Sequence, residues 1–228
     1  MRMLILVLVI GILSITACQS TAPGNVPPDA GDSAAFATTP DAGQENRLIS
    51  LASNGFAMHM HRPESWESFT TEYGVVMGEA FGSVASGGEL EGVMAYVFAS
   101  PLQEFDLATN VSGQSVNHAQ AIQSSIITDP FYIGESIATE PIGFVWDGWH
   151  ASYYLLRDEE LTINTMVVAI VVSESNVLLT LTISAPFDQS DRILEVLPGM
   201  LRELNINDKP VSLDVLDVLP APLDFPTR

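Results

Sequence analysis

The chain is 228 residues long and 47% apolar, and it carries 28 Asp plus Glu against 8 Lys plus Arg, for a net charge of −20 at neutral pH. That surplus of negative charge repels phosphate backbones and anionic headgroups, which excludes nucleic acid as a partner. Cys18 is the single cysteine and Lys209 the single lysine, so intramolecular disulfides and cysteine-rich metal sites are ruled out.

The N-terminus opens with Met1-Arg2-Met3, continues through the apolar run Leu4 to Leu13, and ends in the small residues before Cys18. A run this short falls well below the ~20 residues needed to cross a bilayer and has the form of a secretory signal. Ile15-Thr16-Ala17-Cys18 resembles the lipobox of bacterial lipoproteins. The resemblance implies removal of residues 1–17 and transfer of diacylglycerol to Cys18, with the protein held on the extracytoplasmic side of a cell membrane. Burial of acyl chains contributes about 0.8 kcal/mol per CH₂, so two or three chains on one residue form a lasting anchor. The alternative is an ordinary signal peptide with a leftover cysteine.

Residues 18–47 shift to Ala, Gly, Pro, Ser, Thr and Asp, with Phe36 the one aromatic. This composition predicts a flexible tether, which as a coil of about 5–6 Å × √n would hold the following domain roughly 30 Å from the membrane.

A single domain is expected over 48–207. Phe56, Met58 and Met60 alternate with Ala57, His59 and His61, and the turn Arg62 to Ser65 leads to a second strand over Trp66–Thr70, suggesting a hairpin. Strands are also expected at Tyr73–Gly78 and Val93–Ala99, on either side of a Gly-rich loop. Val116, Ala119, Ile122 and Ile126 then recur at helical spacing over Ser115–Ile127. Strands follow at Ile133–Thr139, Ile142–Trp146, Trp149–Leu156, Leu161–Val172 and Val177–Ser184. Asp147-Gly148 signals a two-residue type I′ turn between Trp146 and Trp149. Ser190 is read as the cap of a closing helix whose last turn Pro198-Gly199 would disturb. Past Asn207, residues 208–228 read as a Pro/Asp-rich tail able to add a short edge strand. Strands grouped in this way imply an α+β fold with an antiparallel β-sheet flanked by helices.

The stretch Gly55-Phe56-Ala57-Met58-His59-Met60-His61-Arg62-Pro63-Glu64-Ser65-Trp66, together with Val145-Trp146-Asp147-Gly148-Trp149-His150-Ala151, resembles the PsbP-like (Mog/PsbP) family, which includes bacterial lipoproteins. The resemblance spans about 160 residues as a pattern of elements and implies an α/β/α sandwich. It implies a scaffold for binding or assembly, with no shared catalytic residues.

Candidate site residues are few. His59 and His61 lie two apart on one strand and so share a face, as the start of a metal site would require; a third ligand would have to come from Glu64, His118 or His150. The same alternation equally places both imidazoles outward, in water. Trp146, Trp149, Tyr153 and Tyr154 crowd one hairpin, where sheet packing is the ordinary role and an apolar ligand groove lined by Trp146, Trp149 and Tyr153 the alternative. No Gly-x-Ser-x-Gly is present, and the carboxylates Glu89, Glu91, Asp158, Glu159 and Glu160 fall in loops, so no catalytic set and no cofactor is expected. The reading is a lipid-anchored, non-enzymatic module for an envelope partner. Its alternatives are a carrier or sensor of an apolar molecule and a metal-binding protein or metal-dependent enzyme using His59 and His61.

Overall fold

The computed structural model describes residues 37–38, 48–53, 55–71, 74–80, 89–105, 117–128, 137–211, 217 and 219. In chain order these form β1 (Ala37–Thr38), β2 (Leu48–Ser53), β3 (Phe56–His61), β4 (Glu67–Thr70), β5 (Gly74–Gly78) and β6 (Met94–Pro101). Helix α1 (His118–Thr128) follows, then β7 (Ile137–Trp146), β8 (Trp149–Asp158), β9 (Ile163–Val172) and β10 (Val177–Pro186). Helix α2 (Asp191–Arg202), β11 (Asn205–Ile206) and β12 (Lys209–Pro210) close the described fold. None of the described helices is long and apolar enough to cross a membrane.

The strands form two antiparallel sheets, a five-stranded one in the order β1-β2-β3-β11-β12 and a seven-stranded one in the order β4-β5-β6-β10-β9-β8-β7. Side chains of a strand alternate between its faces, yet β8, β9 and β10 are buried along nearly their whole length, so both faces of the large sheet are covered. On one face, Tyr153, Leu155, Met166, Val168, Leu181 and Ile183 pack against Met58 and Met60 of β3 and against Ile193, Leu197 and Leu201 of α2. On the other, Ala169, Val171 and Leu178 pack against Ala119 and Ile122 of α1. The α+β class and its antiparallel pairing thus stand, within one body.

Helix α1 approaches its sheet over a cross-strand row of small residues, Gly143, Ser152 and Ala169, paired across β7, β8 and β9. A Cβ on Gly143 would lie 2.5 Å from Gln120 Oε1 and 3.0 Å from the Asn117 side chain. Asn117 fixes the start of the helix: its Oδ1 accepts the Gln120 amide at 3.1 Å, while its Nδ2 donates to the carbonyls of Phe144 at 2.7 Å and Ala151 at 2.9 Å. One side chain therefore caps the helix and joins it to two strands.

The opposite face is strapped by Glu79, just beyond β5. Its carboxylate receives both terminal nitrogens of Arg192 on α2, one of them at 2.8 Å, and the Val93 amide at 3.0 Å. Burial works to raise the Glu79 pKa, but Arg192, the Val93 amide and the Trp66 indole outweigh it and hold the carboxyl below its ordinary value of 4.5.

Several expectations need correction. The segments Phe56–His61 and Trp66–Thr70 are not arms of one hairpin: β3 pairs with β2 and β11, whereas β4 pairs with β5 in the other sheet. The overlooked partner is β2, whose Ile49 and Leu51 are buried at period two, joined to β3 next to Gly55 with φ +75°. The single expected sheet is two. The described part of the strand foreseen at Ile133–Thr139 and the one foreseen at Ile142–Trp146 are one edge strand, β7, whose register slips on either side of Thr139 so that Pro141 is accommodated; residues 133–136 lie outside the described residues. Ser190 makes no side-chain cap to α2; its hydroxyl instead donates to the Phe187 carbonyl at 2.9 Å and accepts from Asn164 at 2.6 Å. The helix continues through Pro198 and Gly199 to Arg202. Most of the expected tether and tail lies outside the described residues, but β1 falls within the former and pairs with β2, while β12 and the buried Val211 carry the body past Asn207. The Asp147-Gly148 turn is as expected, with φ +48° and +87°.

Gly143→Ala forces α1 off its row of small residues and is expected to destabilise the fold by about 1–3 kcal/mol, read as a lowered denaturant midpoint at unchanged m-value. Glu79→Gln removes the charge held by Arg192 and Trp66. The expected loss is about 1–2 kcal/mol, allowing for solvent around the half-exposed Arg192. Because the folded pKa is depressed, that stabilisation is present above pH 4.5 and fades as pH falls through the folded value. Acid melts of the two proteins should therefore converge.

Candidate functional site

The small sheet has one buried and one wet face. Ile49, Leu51, Phe56, Met58, Met60 and Ile206 point into the core, so the alternate positions Ser50, His59, His61 and Asn205 line the outer face. His59 sits in a cross-strand row, opposite Ser50 on β2 and Asn205 on β11. Its Nδ1 lies 2.8 Å from Ser50 Oγ. His61, nearly half exposed, uses Nδ1 to meet the carboxylate of Glu203, just beyond α2. The outward placement of both imidazoles matches the alternation read from the sequence.

The partners expected to complete a metal site do not join them. His118 opens α1 and His150 lies on β8, on the face of the large sheet turned away from β3. Glu64 occupies an exposed turn. Among the described residues, no three His, Cys, Asp or Glu side chains are grouped so as to hold an ion.

The four histidines instead form two separate pairs. His118 and His150 meet edge to face with ring centroids 5.0 Å apart, and the His118 amide donates to His150 Nδ1 at 3.1 Å. Accepting through Nδ1 requires a neutral ring with its proton on Nε2, which leaves this imidazole no lone pair for a metal. Burial, then the neighbouring His118 charge, lowers the His150 pKa below its ordinary 6.5. Sequence reading missed this pair as a unit, although Asn117 ahead of a helical run was a usable cap signal.

The aromatic groove is not open. Trp146 and Tyr153 are fully buried and Trp149 nearly so. Burial pushes the Tyr153 phenol up, and Tyr154 turns to the opposite face beside Ile127 and Val167. The space bordered by Trp146, Met60, Val97, Val168 and Leu201 measures about 10 Å³, roughly one water-sized probe and far below the ~300 Å³ of a ligand pocket. The polar edge of Trp149 is occupied by Glu174 at 3.2 Å, with the Lys209 ammonium 5.9 Å from the ring centroid. These residues are core, and the space they border between the sheet and α2 is about the size of one water.

No family model matches the chain, and no curated protein matches it in sequence.

Protonation of His150 would turn an acceptor into a donor facing the His118 amide and undo that contact at the start of α1. With the folded pKa depressed, the stabilisation is complete above pH 6.5 and is lost as pH falls through the folded value. Thermal melts across this window should show a decline in stability that His150→Ala flattens. An equal decline in both proteins would place its origin elsewhere.

Proposed function

We propose that the chain is a lipid-anchored extracytoplasmic protein whose α+β domain, of PsbP-like type, is a non-enzymatic binding or assembly module for an envelope partner. The observation that carries this reading is the position of the only cysteine, Cys18, directly after Ile15-Thr16-Ala17 and a short apolar run. Segment 18–47 then sets the domain off from the bilayer, and acyl chains on Cys18 supply the membrane contact.

The described domain supports a binding rather than a carrying role. Trp146 and Tyr153 are packed in its core, and its exposed large apolar residues, Leu48, Phe69, Val145 and Leu161, are dispersed over β2, β4, β7 and the turn before β9. Dispersed side chains do not make the contiguous apolar patch of an obligate interface. A charge of −20 favours a partner with a cationic face, and association steered by charge slows as salt is raised.

Intact mass spectrometry of the natively expressed protein should give a diacylglyceryl or triacyl mass on Cys18, and Cys18→Ser should move the protein from the membrane to the soluble fraction. An affinity tag on the same material is expected to recover a stoichiometric partner that dissociates at high salt. An unmodified Cys18 would remove the anchor from the proposal, and turnover of an envelope substrate that is abolished by Glu64→Gln or His61→Ala would replace the binding role with an enzymatic one.

A further inference from the structure

Register places four polar side chains on one patch of the small sheet. Asn205 pairs with His59 and Ile206 with Met58, and Glu203, the residue that closes α2 two positions before Asn205, lies beside them. The Glu203 carboxylate meets His61 Nδ1. Directly opposed residues have Cβ atoms about 4.5–5.5 Å apart, and residues i and i+2 of a strand share a face. His59 and His61 therefore share one face, with Asn205 opposite His59 on one side, Ser50 opposite it on the other, and Glu203 in contact with His61.

The hydrogen bonds within this patch determine which nitrogens remain available. The Glu203 carboxylate lies against Nδ1 of His61, so Nε2 is the ring nitrogen turned away from that contact. Ser50 Oγ can accept from Nδ1–H of His59 in the same way. An oxygen on Nδ1 and a free Nε2 is the arrangement seen around metal-bound imidazoles, where the outer oxygen orients the ring and raises its basicity. The pair at His118 and His150 has the opposite polarity, since there Nδ1 accepts and Nε2 holds the proton.

Asn205 supplies an independent observation. Its Oδ1 is buried and has no hydrogen-bond partner among the described residues, although an acceptor left unsatisfied costs about 1–3 kcal/mol. A cation beside His59 would satisfy it.

We propose that this outer face binds one late first-row divalent cation, Zn²⁺ or Cu²⁺, through Nε2 of His59, Nε2 of His61 and Oδ1 of Asn205, with water completing the shell and Glu203 and Ser50 positioning the imidazoles. Imidazole nitrogen with amide oxygen is a donor set suited to these ions, and Cu²⁺ is expected to bind more tightly than Zn²⁺.

The test is calorimetric titration of the purified full chain in detergent with ZnCl₂ and with CuCl₂. One equivalent should bind at micromolar concentration, and His59→Ala and His61→Ala should each weaken it by at least about tenfold. Asn205→Ala and Glu203→Gln should each weaken it by a smaller factor, while His118→Ala leaves it unchanged. Circular dichroism melts confirm that each variant is folded; His61 and Glu203 lie on the wet face, so their variants retain the core. The Cu²⁺ complex should show electron paramagnetic resonance splitting from two imidazole nitrogens, reduced to one in His61→Ala. Absence of stoichiometric binding, binding that survives the doubly substituted His59→Ala/His61→Ala chain, or binding lost with His118→Ala would each overturn the proposal.

Discussion

The rest of this structure depends on a seven-stranded sheet that is apolar on both faces. In β9, Met166, Val168, Ile170 and Val172 face one way and Val167, Ala169 and Val171 the other, and all are buried. A strand of this kind gains about 25 cal/mol per Å² of apolar surface removed from water on each side, so it is stable only when two layers cover it. Helix α1 supplies one layer over β7 to β10, and α2 with the small sheet supplies the other. The hydrogen bonds that look most specific in the fold secure those covers. Asn117 ties α1 to β7 and β8, and Glu79 ties α2 to the end of β5 through Arg192.

The two fastenings differ in chemistry because their surroundings differ. Asn117 is neutral and bonds to backbone carbonyls of paired strands, where a charge would be costly to bury. Glu79 and Arg192 remain partly exposed, so their ion pair keeps some solvation and avoids the penalty of a fully buried pair. The small residues Gly143, Ser152 and Ala169 act with Asn117, since a helix can be held by so short a side chain only where the sheet beneath has little bulk.

Local chemistry was the part of the fold legible in the sequence. The type I′ turn at Asp147-Gly148 rests on two residues that tolerate positive φ, and the inward run of Phe56, Met58 and Met60 rests on simple alternation. Pairing partners were illegible because they depend on contacts distant in sequence. β3 and β4 are neighbours in the chain yet join different sheets, and β3 draws β11 from 150 positions away, where Asn207 Oδ1 accepts the Ala57 amide. The candidate site divided along the same line: the outward direction of His59 and His61 was readable, whereas Glu203 and Asn205 are brought beside them only by that long-range register. Trp146 and Tyr153 were ambiguous for a different reason, since a pocket wall and a packed core draw on the same aromatic residues.

Double coverage of the large sheet also limits where recognition can occur. The α1 face and the α2 face are both committed to packing, which leaves edges, turns and the outer side of the small sheet to meet a partner or an ion. The small sheet can have a wet face because it is itself a cover: its inner side completes the main core, and its outer side has no further layer to support among the described residues. Side chains there are freed from the packing rule that governs β8, β9 and β10, so His59 and His61 can face outward without the cost of a buried polar group in a core strand. This separation of load between the two sheets accounts for ligand-type side chains gathering on the smaller one.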